Sequence, residues 1–190
     1  MEFGPLKVRI FPDPCLQVKS KPVGQVGAVE RMLIAAMFET MHACKGVGLA
    51  APQVGINEQI FVVDTGKDVF VAINPKILKP SEWPKGTFHE KSAALETMDE
   101  GCLSVPRLLV PVKRPKSIFV EFTDQDNHQV RAQLKGLVAR VFQHELDHLN
   151  GKLILEYLPV KERARIIQQI KDGSYIGKAL DNDDGRRTKI

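Results

Sequence analysis

A chain of 190 residues, 43% of them hydrophobic, is long enough for one domain with a sizeable core, and no apolar run approaches the roughly 20 residues of a membrane span. The formal charge of +4 is modest and its lysines and arginines are scattered, which argues against a groove for sequence-specific nucleic-acid binding. Cys15, Cys44 and Cys102 are odd in number and widely spaced, so they argue against a disulfide framework and for a reducing compartment.

In chain order, the opening residues MEFGPLKVRIFPDP lack the continuous apolar core of a secretory signal and do not resemble an Arg/Ser-rich transit peptide. The expected location is the cytoplasm, or an organellar matrix if a transit peptide has been removed. Residues 6–18 predict an extended segment broken by Pro12 and Pro14. From Val26 the pattern turns helical: Val29, Met32, Leu33, Ala36, Met37 and Met41 recur at spacings of three and four, with Gly46 as the stop. The methionines of this stripe read as core filler. GVGLAAPQVG follows at 46–55, with so little side-chain bulk that another backbone or a substrate can approach closely, and Gln53 adds an amide N–H donor. It is not a dinucleotide fingerprint, because no third glycine stands in register and the segment follows a helix.

Strands are expected at 59–64, 69–74, 117–124 and 128–134, the last two joined by a turn at 124–127. The stretch 79–97, with Pro80, Pro84 and Gly86, reads as a polar surface excursion. Leu137–Leu149 predicts a second helix stopped near Gly151, and Lys161–Lys171 a third, amphipathic and basic. Strands and helices do not alternate as βαβ units. The expected fold class is therefore α+β, with antiparallel sheets around the central 137–149 helix and flanking N-terminal and C-terminal helices. The expected organisation is one catalytic domain over 1–171 and a polar, flexible tail over 172–190.

The central helix carries the chemistry, in the stretch FQHELDHLNG. His144 and His148 are four apart, so on a helix they project from one face and can chelate a single first-row metal ion. Glu145 lies beside a ligand and off the line of coordination, where its carboxylate can take a proton from a water activated by that ion. A catalytic site of this kind wants a third protein ligand, and several positions compete for the role. Ile154 stands where one HExxH class has a third histidine. Glu156 and Glu162 follow more closely than another class spaces its glutamate. Upstream, EGCLSVP offers Cys102, whose thiol a nearby metal would deprotonate, with Gly101 giving its backbone freedom. A metallopeptidase would use another third ligand than Cys102. A non-catalytic metal-binding module would need a fourth, for which Cys44, His42 and His89 are candidates.

Taken together, GVGLAAPQ, EGCLS and QHELDHLNG, in this order, closely resemble the peptide deformylase family, over most of the chain from the PDPCL segment to the third helix. The resemblance implies hydrolysis of the N-formyl group from the initiator methionine of new polypeptides. It implies Cys102, His144 and His148 as metal ligands, Glu145 as general base, and the Gln53 amide and Leu103 backbone N–H as oxyanion donors. Gly48 matches a position that hydrogen-bonds substrate backbone. Glu100 and Arg114 match a pair that braces the cysteine loop, and Asp147 and Gln143 are further candidates to orient the ligands. Val47, Leu137 and Val141 are the candidates for an apolar methionine pocket. The expected cofactor is one divalent ion, Fe2+ in the family, although a thiolate with two imidazoles also suits Zn2+, Ni2+ or Co2+. Expected partners are nascent N-formyl-methionyl peptides, with ribosome contact through the basic third helix. The 79–97 stretch is longer than in compact members and would form a rim insertion.

Overall fold

Alternation and burial explain the main sheet. In a computed structural model that describes residues 4–83 and 94–175, β1 (Gly48–Ala50), β2 (Ile60–Asp64), β3 (Val69–Ile77), β6 (Ser117–Thr123) and β7 (Gln129–Lys135) form one antiparallel sheet in the order β1-β2-β3-β6-β7. Between β3 and β6 the chain makes a separate two-stranded sheet, β4 (Leu95–Cys102) with β5 (Val105–Pro115). The apolar run of β2 is unbroken because both of its faces are covered. Phe61 and Val63 point to the core shared with α2 (Leu137–Leu149), and Ile60 and Val62 to the core shared with α1 (Ala28–Ala43). The two helices thus clamp the sheet, with the Phe61 and Phe142 rings packed edge to face at 5.0 Å.

A third core lies outside the clamp. Val105, Leu108, Val110 and Val112 of β5 pack against Phe11 and Leu16 of the N-terminal segment, the 153–158 turn and Ile166 of α3 (Val160–Lys171). The expected α+β class, with antiparallel sheets around the HExxH helix and a helix towards each end, is what the chain adopts.

Several expectations change in detail. α1 starts at Ala28, and its buried face is Ile34, Ala36, Met37, Thr40 and Met41; Val29 sits in the first turn, before that face begins, and is 74% exposed. The left-handed residue that stops α1 is Lys45 (φ 55), not Gly46. Lys45 N–H donates to His42 O and Gly46 N–H to Met41 O, each at 2.9 Å, the pair of bonds that closes a helix end. Residues 95–97, expected in a loop, open β4. They are hidden because β4 is largely exposed, and β5 is masked by Pro106, Pro111 and Pro115, which sit where no ladder bond is needed. Residues 84–93 of the expected insertion, including His89, lie outside the described residues.

The N-terminal segment ties distant loops together. Arg9 N–H donates to Gln53 O at 2.7 Å, Phe11 N–H to Ser104 O at 2.9 Å, and Ser20 N–H to Leu149 O at 2.8 Å. Gly151 ends α2 in the left-handed region (φ 71) directly over this segment, where a Cβ would stand 2.8 Å from the Gln17 carbonyl, so only glycine fits. After α3 the chain folds back: Tyr175 N–H donates to Gln169 O, and the Tyr175 hydroxyl to Arg107 O at 3.3 Å. Residues 176–190 of the expected tail lie outside the described residues.

Candidate metal centre

The apolar stripe of α2 faces the main sheet, so its HELDH stretch is drawn under the surface with it. His144, Glu145 and His148 are all buried. Opposite them, β4 ends at Cys102, and a two-residue turn of Leu103 and Ser104 leads into β5, with Cys102 paired to Val105. The sulfur and one nitrogen from each imidazole all lie within 4.8 Å of one another, with Cys102 Sγ 3.2 Å from His148 Nε2. The other candidate ligands go elsewhere: His42 pairs with Asp64 at 2.9 Å, and Cys44, Glu156 and Glu162 do not join the trio, while Ile154, which has no atom to donate, is core.

The chemistry of these groups fits a divalent cation. His144 Nδ1 donates to Glu100 Oε2 at 3.0 Å, which fixes the tautomer and leaves Nε2 with its lone pair. Burial, helped by His144 and Arg114, pushes the His148 imidazole well below its usual range, so it stays neutral, the form that ligates. Burial pushes the Cys102 thiol up to about 12, and only a nearby positive charge would release its proton. Burial likewise holds the Glu145 carboxyl well above the usual carboxylate range. His144 Nε2, His148 Nδ1 and both Glu145 oxygens are buried without a hydrogen-bond partner. Orphaned polar atoms cost about 1–3 kcal/mol each, so the lone-pair nitrogen of His144 and the partnerless Glu145 carboxyl that follows it in sequence mark a place built for a bound group.

Three segments shape the surroundings. Gly48 of β1 lies against α2: a Cβ there would overlap Glu145 Oε1 and stand 2.8 Å from Val141 Cγ1. Gln53, buried in the short turn after β1, has its Oε1 fixed by Ala50 N–H at 2.8 Å. Its Nε2 therefore points toward Cys102 Sγ, at 3.8 Å, and Ser104 Oγ, at 3.3 Å. Glu100, two residues before the cysteine, is fully buried and accepts from Arg114 through Nε at 2.8 Å and Nη2 at 3.0 Å. Burial alone would raise its carboxyl, but the bonds from His144 and Arg114 outweigh that and hold it at about 2.

The family model described as polypeptide deformylase matches residues 5–164. The chain belongs to the polypeptide deformylase family. It is 40% identical to a peptide deformylase of Thermotoga neapolitana over 166 residues, covering 87% of this chain and 94% of that one. The crystal structure of the Thermotoga maritima peptide deformylase matches with a TM-score of 0.74 and 39% identity, over 83% of this chain and 99% of that one. The Ehrlichia chaffeensis peptide deformylase in complex with actinonin matches at 0.78 and 34%, over 90% and 98%.

In this deformylase-family centre the structure brings together most of the residues the motifs nominate. Cys102, His144, His148, Glu145, Gln53, Gly48 and Val141 converge, with Leu103 in the adjoining turn. Val47 is half-buried in the α2-side core, while Leu137 opens α2 two turns before His144 and is 37% exposed. Asp147 orients Arg114 rather than a ligand: its Oδ2 accepts from Arg114 Nη1 at 2.9 Å and from the Tyr157 hydroxyl at 2.7 Å. Gln143 donates to Pro115 O and Ala139 O. Sequence reasoning missed Ser104, Tyr157 and Arg140. Arg140 had a signal, since Arg140, His144 and His148 follow one another at single-turn spacing, and a cation on that face needs a buried partner.

Proposed function

We propose that this chain removes the formyl group from N-formyl-methionyl ends of new polypeptides, using Cys102, His144 and His148 to hold one divalent ion and Glu145 as the general base. The observation that carries this reading is a buried carboxyl with no partner standing beside a thiol–imidazole trio. Among the described residues no fourth donor joins the trio, which supports a catalytic site over a closed structural one. A bound divalent ion supplies Lewis acidity, lowering the pKa of a water toward neutrality and polarising the formyl carbonyl. By resemblance of the motifs the resident ion is Fe2+; Zn2+, Ni2+ and Co2+ suit the same donors.

The chain's own residues do the rest. Glu145 takes a proton from the water that attacks the formyl carbon and returns it to the leaving amine, so formate and a free amino terminus result. The Gln53 Nε2 and the Leu103 N–H meet the oxygen on which negative charge develops, each worth about 2.7–4 kcal/mol. The fixed Oε1 of Gln53 keeps that donor aimed. β1 is a sheet edge, paired with β2 alone, so an extended peptide can add beside Gly48 through main-chain bonds with little sequence preference. Val47, Leu137 and Val141 then form the apolar pocket for methionine. Lys161 and Arg165, exposed and one turn apart on α3, offer a basic pair for a ribosome contact, placing the enzyme where substrates emerge, in the cytoplasm or an organellar matrix. Among the described residues no helix is long and apolar enough to cross a membrane.

The reading is tested with formyl-Met-Ala under anaerobic conditions, following formate with and without a chelator. Formate release that stops with chelator, returns with the ion and is lost in Cys102→Ala supports it. Activity indifferent to Cys102 would instead favour a peptidase-like site.

A further inference from the structure

Arg140 is buried on α2 one turn before His144, and its guanidinium reaches both strands of the second sheet. Nη1 donates to Glu100 Oε1 at 2.6 Å and to Val112 O at 2.9 Å, while Nη2 donates to Glu96 O at 2.8 Å. Glu96 and Glu100 belong to β4, the strand that ends in Cys102, and Val112 belongs to β5. One side chain therefore fastens the helix that carries both histidines to both strands of the hairpin that carries the sulfur. Hydrophobic packing does not do this. α2 shares its core with the five-stranded sheet, whereas Cys102 and β5 share theirs with the N-terminal segment and α3. The trio straddles the seam between two cores.

We propose that Arg140 is a positioning residue that sets the distance between Cys102 and the His144–His148 pair, so that the three ligand atoms stand assembled before an ion arrives. The proposal rests on reading the trio as an ion site. Its physical basis is preorganisation: a planar fork with fixed N–H directions can hold three acceptors at once, and ordering done during folding is not charged against binding. A second effect of the same side chain has the opposite sign. A buried cation near the site repels a dication, and by occupying Glu100 Oε1 it weakens the pull of that carboxylate on the His144 N–H. If position dominates, losing Arg140 weakens ion binding. If charge dominates, losing it strengthens binding.

The experiment is a Co2+ titration of the metal-free full chain, with affinity from chelator competition and the thiolate-to-cobalt charge-transfer band as the signature of Cys102 engagement. Arg140→Met keeps the apolar stem without donors, and Arg140→Lys keeps the charge without the span. The expected result is about 10–100-fold weaker Co2+ binding in Arg140→Met, a reduced or shifted charge-transfer band, and clear weakening in Arg140→Lys as well. Unchanged or tighter binding in the folded variants overturns the proposal, as does a lowered melting midpoint with affinity intact, which is all a merely structural role would give. Should Arg140→Met fail to fold, Arg140→Lys decides: wild-type affinity there assigns the effect to charge and ends the proposal. A wild-type chain with no charge-transfer band at all overturns the ion-site reading itself.

Discussion

Glu100, which accepts from His144, and Glu145, which follows it in sequence, are two buried glutamates whose surroundings are opposite. Glu100 accepts four N–H donors, two from Arg114 and one each from Arg140 and His144, and those bonds hold it ionised with a carboxyl at about 2. Neither oxygen of Glu145 has a partner, and burial pushes its carboxyl up. A carboxylate saturated by guanidinium and imidazole donors has no basicity left to spend on chemistry, and its role is to hold other groups still. A bare one is costly to bury and free to move a proton. The difference separates what this fold needs for standing up from what it keeps for reacting.

The sharpest break between the two is turnover. Glu145→Gln should lower formate release by about 10²–10⁴-fold while leaving bound metal near one ion per chain. The same change should raise the melting midpoint of the metal-free protein, because an amide has no charged form to desolvate. Glu145's raised carboxyl makes that gain appear as pH climbs above its ordinary 4.5 and vanish below it. Formate assays and thermal melts on one preparation check both halves.

Glu100→Gln should do the reverse to stability. It leaves the Arg114 and Arg140 guanidiniums buried against a neutral amide, at a cost of about 3–5 kcal/mol in urea unfolding. Equal unfolding free energies for the two variants would erase the contrast. Acid sharpens it further. Glu100 titrates at about 2 when folded against an ordinary 4.5, so its stabilisation is complete above that value and is lost as pH falls from there toward 2. The loss is on the order of 3 kcal/mol for the wild type and should be absent from Glu100→Gln, as a pH series of unfolding midpoints would register.

The smallest effect concerns the rim of the Glu100 network. Tyr157→Phe removes the hydroxyl that bridges Asp147 and Arg114 but keeps the ring under the guanidinium, whose carbon sits 5.0 Å from the ring centre. About 1 kcal/mol of stability should go, with formate release intact.

Four strands of the main sheet, β2, β3, β6 and β7, were legible in the sequence, most of them as β-branched and aromatic runs, whereas β1, Gly48–Ala50, has no such residue and read as a small-residue segment for close approach. β4 and β5 were not, since one is polar and largely exposed and the other carries three prolines at positions that a propensity reading takes for breaks. The histidine pair and Glu145 were legible from helical spacing alone. The third ligand was not: spacing left Cys102 among several candidates, and only the resemblance of the three motifs, then the 3.2 Å approach to His148, singled it out. Arg140 and Tyr157 were missed for a common reason. A charge or a hydroxyl on an amphipathic stretch ordinarily faces water, and the burial of Arg140 against Glu100 and the bond from the exposed Tyr157 to Asp147 are contacts that pairing along the chain does not encode.

The stitching of the N-terminal segment bears on how such a protein comes into being. Arg9 and Phe11 latch the turns holding Gln53 and Ser104, Ser20 closes onto Leu149, and Gln17 lies beneath Gly151. A segment before α1 is thus sealed by the end of α2, synthesised much later, and contacts of such long sequence separation form slowly. Such a site cannot exist on a chain still being made: its sulfur, its imidazoles and its amide donor can meet only once His148 has been added.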